Sequence, residues 1–155
     1  MNKRLKENNP VDVDAPEVLN RQRSVAVDCA RFVEFCIEAR AAVRECHGQT
    51  FTVAFFSDAK MKRLNAEFRG IASTTDVLSF PNLPDGAGEG LTSIGDIAIS
   101  IDQAKRQARS NGLKLDGEIR QLILHGLLHL CGYDHESDNG EMVRYELKLR
   151  RKLGI

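Results

Sequence analysis

The segment from Ile119 to Cys131 constrains this chain more than any other. On a helical wheel at about 100° per residue, Ile119, Leu122, Ile123, Leu124, Gly126, Leu127, Leu128, Leu130 and Cys131 cover most of the circumference. A helix apolar nearly all round belongs in a protein interior. The narrow remaining sector holds Glu118, Gln121, His125 and His129, with Arg120 standing apart near the helix start. The fold must therefore bury this helix and still give two imidazoles a polar slot. His125 and His129 are four positions apart, so they are neighbours with Cβ atoms about 6 Å from each other. Both can reach one ion at the ~2.0–2.1 Å of a zinc–nitrogen bond. Gly132 then offers a position where φ can be positive and the chain can reverse. His135 follows after Tyr133 and Asp134. Two ligands from a helix and one from the returning chain make a three-sided cup. Three protein ligands leave a coordination position open, as catalytic rather than structural zinc sites do.

A lone histidine on an apolar face is usually a core residue with its hydrogen bonds satisfied. Here three of the four histidines fall within eleven residues, with a glycine at the turning point. His47, in an expected loop, is given no role. The spacing His125-x-x-x-His129-x-x-Gly132-x-x-His135 is that of the metzincin proteases, but Gly126 occupies the place of their glutamate base. Glycine has no group that can take a proton from water, so a protease of that mechanism is not expected. Gly126 instead allows close backbone packing, or room for a substrate, beside the ion.

The chain has 155 residues, the size of one domain. Lys plus Arg and Asp plus Glu both number 22. Zero formal charge excludes attraction to nucleic acid by global charge but not by local patches, such as Lys62, Arg63 and Arg69, or Lys105, Arg106 and Arg109. No apolar run approaches the ~18 residues of a membrane span. The opening MNKRLKENNP has no apolar stretch behind it, and Glu7, Asp12, Asp14 and Glu17 are foreign to an acid-poor transit peptide. The expectation is a cytoplasmic protein. Cys29, Cys36, Cys46 and Cys131 form no C-x-x-C pair. Cys29 and Cys36 lie on one expected helix with Cα atoms about 10.5 Å apart, too far for a disulfide. They read as small buried hydrophobes in a reducing compartment. Cys131, beside the histidines, is the one position with room for a redox or ligand role.

Residues 1–14 are expected as a flexible tail and 15–155 as a single domain. A strand is expected over Glu17 to Asn20, then a helix capped by Asp28 and running to about Glu45. Phe51 to Ser57 reads as a strand, and Asp58 as the cap of a helix through about Phe68. Val77 to Phe80 is a strand ended by Pro81, Asn82 to Gly90 a loop, and Ile94 to Ile99 a strand. Ser100 and Gln103 form a capping box for a third helix. The fourth helix starts near Asp116. The fifth follows Ser137, with Met142, Tyr145, Leu149 and Leu153 as its apolar stripe and Gly154 as its stop. About four strands and five helices predict an α+β fold with a mixed sheet and a central buried helix carrying the ligands.

The run His125 to His135, HGLLHLCGYDH, resembles the signature H-G-x-L-H-L-x-G-Y-D-H of the YbeY family at every fixed position. Leu64 to Pro81 is similar to a second block of that family, an arginine–glycine followed by T-D-V-L-S-F-P. Ile94 to Ser100 is similar to a third. Phe68 stands where tyrosine is usual and Ala72 where aspartate is common. The resemblance implies a metal-dependent, single-strand-specific endoribonuclease of ribosomal RNA maturation and ribosome quality control. His125, His129 and His135 would hold one divalent ion, Zn2+ by its ligands. Arg69 would be the catalytic arginine, its planar guanidinium gripping phosphate oxygens and offsetting charge in the transition state. Thr75, Asp76, Ser79 and Asp96 are expected to be structural, and Asp134 to orient a ligand histidine or accept a proton. RNA is the expected partner, with the small ribosomal subunit and other maturation factors, and no membrane. A zinc hydrolase of another substrate and a non-catalytic metal module remain open.

Overall fold

The computed structural model describes residues 15–82 and 93–155. Residues 1–14, expected as a tail, and the expected Asn82–Gly90 loop beyond Asn82 lie outside the described residues. The elements run β1 (Glu17–Asn20), α1 (Cys29–Ala42), a 3-10 turn (Arg44–Cys46), β2 (Thr50–Phe56), α2 (Asp58–Arg69), β3 (Val77–Pro81), β4 (Ser93–Ser100), α3 (Ile101–Ser110), α4 (Leu115–Leu130) and α5 (Glu141–Leu153). The fold is α+β, built on a four-stranded sheet of order β1-β2-β4-β3. β1 and β4 pair parallel with β2, and β3 pairs antiparallel with β4, so the sheet is mixed.

Alternation along the strands separates the two faces. Val18, Phe51, Val53, Phe55, Ile97 and Ile99 point to one side and join the main core with α1 and α4. Leu78, Phe80, Ala98 and Phe56 point to the other and meet Met61 and Leu64 of α2. The α4 residues Ile119, Ile123, Leu124, Leu127 and Leu128 are all essentially inaccessible. The all-round apolar wheel is thus satisfied by the sheet on one side and helices on the others. Arg120, the outlier on that wheel, pairs with Asp116 at 2.7 Å and lies over the Phe35 ring.

Gly126 decides how closely α4 meets the sheet. A Cβ there would stand 2.8 Å from Cγ2 of Ile97 and 3.2 Å from Oγ of Ser79. Of the two expected uses of Gly126, the structure selects close packing. Ser79 donates to the Gly126 carbonyl at 2.9 Å, fastening edge strand β3 to the C-terminal half of α4.

Some boundaries shift. The cap of α2 is Ser57, whose Oγ accepts from Lys60 N, and not Asp58. Asp58 is instead drawn into a tertiary junction, accepting from Thr74 at 2.9 Å, Ser100 at 2.6 Å and Arg106. Burial disfavours its charge, but these donors outweigh it and hold its pKa below the usual aspartate range. Arg106 is therefore engaged and not a freely solvated charge. α1 ends at Ala42, three residues early, because the chain tightens into the 3-10 turn. The N-cap of α5 is Gly140, and Asp138, two residues earlier, accepts from Gly140 N and Met142 N at 2.8 and 2.9 Å.

Candidate metal centre

The last two turns of α4 supply His125 and His129, and its C-terminal reversal supplies His135. Tyr133 N donates to Leu128 O at 3.1 Å, and Gly132 takes φ +92°. This six-residue closure with a left-handed glycine folds the chain back over the helix end. Asp134 Oδ1 then accepts from Glu136 N at 3.0 Å, and Asp134 O accepts from Ser137 N and Asp138 N. Two successive turns thereby bring His135 opposite the helix.

The outcome is convergence. The ring centroids stand 4.7, 5.6 and 5.4 Å apart for the pairs His125–His129, His125–His135 and His129–His135. One nitrogen from each ring lies within 4.8 Å of the others. Nε2 of His125 faces Nε2 of His129 at 3.1 Å. Two nitrogens bound to one zinc at tetrahedral angles stand about 3.3 Å apart. The donor set therefore fits a borderline cation such as zinc, with slight adjustment of His135.

His125 is held from behind by Glu146 of α5. Its Nδ1 donates to Glu146 Oε2 at 2.9 Å, and Arg150 donates to the other carboxylate oxygen. A carboxylate only accepts, so the proton sits on Nδ1 and the Nε2 lone pair faces the cup. Burial of Glu146 opposes its charge, but the bonds from His125 and Arg150 prevail and hold its pKa below the usual glutamate range. His129 bonds the Tyr133 backbone, while burial and then the neighbouring His125 lower its pKa. Both effects favour the neutral ring, the form that can ligate.

Glu146 is a residue that motif reading misses. Its signal was present: a carboxylate at helical spacing between Met142 and Leu149, on the stripe that α5 buries. Asp134, the expected orienter, does not bond a ligand histidine. Its carboxylate is fully exposed at the cleft, where the Glu136 amide foremost draws its pKa down.

Arg69 ends α2, and Gly70 follows with φ +69°. Buried Asn65 ties the next loop back by donating to Ser73 O at 2.9 Å. Arg69 and all three histidines line one cleft of about 470 Å³, bordered by Thr75, Ser79 and Pro81. Among the described residues nothing pairs with the Arg69 guanidinium. Asp76 serves structure, accepting from Val77 N at 2.8 Å and Gln107 Nε2 at 3.0 Å. Asp96 faces the opposite side of the sheet, beside Ala98. His47 is exposed on a left-handed turn, away from the cup.

An α+β scaffold that gathers three imidazoles and Arg69, unpaired among the described residues, in one polar cleft defines a histidine-lined site that could hold a metal ion. The family described as Endoribonuclease YbeY matches residues 17–154, and the chain belongs to it. It is 47% identical over 121 residues to Endoribonuclease YbeY of Koribacter versatilis, covering 78% of this chain and 74% of that one. It is 46% identical over 108 residues to the same enzyme of Solibacter usitatus, covering 70% and 69%. The solution structure of TM1509 from Thermotoga maritima aligns with a TM-score of 0.59 at 26% identity, over 88% of this chain and 87% of that one. Among the described residues no helix is long and apolar enough to cross a membrane.

Proposed function

We propose that residues 15–155 act as one metal-dependent endoribonuclease domain that cleaves single-stranded RNA in ribosomal RNA maturation. The observation that carries this reading is the meeting of His125, His129 and His135 with Arg69 in one cleft. Family membership supplies RNA as the substrate class.

In this reading His125, His129 and His135 hold one divalent ion, with Zn2+ favoured by an all-imidazole set. The bound ion supplies Lewis acidity toward a phosphoryl oxygen and water. Glu146 keeps His125 in the ligating tautomer. Arg69, uncommitted to any carboxylate among the described residues, grips the scissile phosphate and offsets the charge that develops on its oxygens. Zero net charge gives weak general RNA affinity, which suits an enzyme whose substrate is presented by the small ribosomal subunit or a maturation factor in the cytoplasm.

The test is cleavage of single-stranded RNA by the wild type beside His125→Ala and Arg69→Ala, with metal analysis of each. His125→Ala should lose both stoichiometric metal and cleavage. Unchanged cleavage by that variant means a contaminating nuclease and ends the assignment. The product ends separate two routes: a 2′,3′-cyclic phosphate means attack by the RNA's own hydroxyl, and its absence means attack by water.

A further inference from the structure

The 3-10 turn after α1 grips the segment that carries His135. Glu45 accepts from Tyr133 Oη at 2.8 Å and from Tyr145 Oη at 3.2 Å. One residue on, Cys46 Sγ lies 3.6 Å from Cys131 Sγ. Both thiols are free, as are those of Cys29 and Cys36. Cys46 is completely buried and Cys131 is half-buried. We propose that Cys46 and Cys131 form a reversible intramolecular disulfide under oxidation, tying the His135 segment to the turn after α1. This goes beyond the ribonuclease reading and does not depend on it.

A disulfide needs its sulfurs at about 2.05 Å. From van der Waals contact the remaining gap is about 1.5 Å, within reach of small side-chain rotations. The bonds from Tyr133 and Tyr145 to Glu45 already hold the two segments together, so the thiols remain neighbours and do not rely on chance encounter. The oxidant is a hydroperoxide such as hydrogen peroxide. The Cys131 sulfur, the more accessible, attacks one peroxide oxygen; the O–O bond breaks, one water leaves and a sulfenic acid remains. The Cys46 sulfur displaces that oxygen as a second water, and the S–S bond forms. The pair of thiols loses two electrons and two hydrogens, and the peroxide gains them. A dithiol reverses the bond by exchange. Such a pair in an otherwise reduced protein has the character of a redox sensor.

The full-length protein is treated with hydrogen peroxide, denatured, labelled with N-ethylmaleimide and weighed intact, then digested for peptide mapping. The expected result is a fall from four labels per chain to two, a linked Cys46–Cys131 peptide in a protein with no cross-link between chains, and return to four labels with dithiothreitol. Cys131→Ser and Cys46→Ala should each keep all three remaining thiols. Should Cys46→Ala fail to fold, Cys131→Ser at the half-buried position carries the same control. Retention of four labels, oxidation of Cys131 to sulfinic or sulfonic acid with Cys46 still labelled, or a different pairing overturns the proposal.

Discussion

The two walls of the cleft are built by opposite means. On the histidine wall, α4 is seated against the sheet at Gly126 and reversed at Gly132, and Glu146 backs His125, so that ring has a fixed place before any ion arrives while exposed His135 is left to adjust. On the other wall, Arg69 sits exposed at the end of α2, with no partner for its guanidinium among the described residues. Ion ligands must be preorganised, because their geometry sets affinity. A phosphate-gripping arginine gains from being uncommitted, since a standing ion pair would have to break first. The contrast predicts that damage to one wall changes ion binding, while damage to the other changes chemistry alone.

The sharpest break between the walls is Arg69→Ala. Loss of one charge-stabilising donor typically costs about 10²–10³-fold in rate, so RNA cleavage should fall by that order while metal content stays stoichiometric. Parallel loss of metal would mean that Arg69 shapes the histidine wall after all. Next comes Glu146→Gln, which keeps the shape but removes the charge behind His125. Metal affinity should weaken by roughly 10–100-fold, read by competition with a chelator. An unchanged dissociation constant would reduce Glu146 to a packing residue.

A smaller effect is expected from Gly126→Ala, which pushes a methyl group against Ile97. Overpacking of this kind costs about 1–3 kcal/mol, visible as a lower urea midpoint at constant slope. A neutral result would show that α4 can lift from the sheet. The mildest test is pH. The native state of the metal-free protein takes up the His129 proton less readily than the unfolded chain does. Stability is then complete above the ordinary histidine value of about 6.5 and falls as pH drops through the lower native value. Urea titrations in chelator between pH 7 and 5 should show this slope, and His129→Gln should flatten it. The low-lying carboxylate of Glu146 loses its contribution only below the ordinary glutamate value of 4.5, so it does not confound that window.

How much could be read in advance differs between these walls too. The convergence of the three histidines was legible because helical spacing and a left-handed glycine are local, and local geometry follows from short-range sequence. The strands and helices were legible for the same reason, to within a few residues. Errors came where distant groups competed. Asp58 looks like a helix cap, yet Ser100, Thr74 and Arg106 recruit it, and Ser57 caps in its place. Asp134 looks like the residue that orients a histidine, yet its own turn engages it, and Glu146 from the next helix takes that role.

The sequence by itself determined that a nearly all-apolar helix must be buried with two imidazoles on its one polar strip, and that a third would return beside them. The periodicity of a helix and the handedness of a glycine suffice for that. Only the tertiary structure decided that Arg69, fifty-six residues before His125, faces the same cleft, that Glu146 backs His125, and that Cys46 meets Cys131. Those placements depend on which faces of the sheet α2 and α4 cover and on the packing of α5 against α1 and α4, and that choice minimises exposed apolar surface over the whole chain rather than within any one segment.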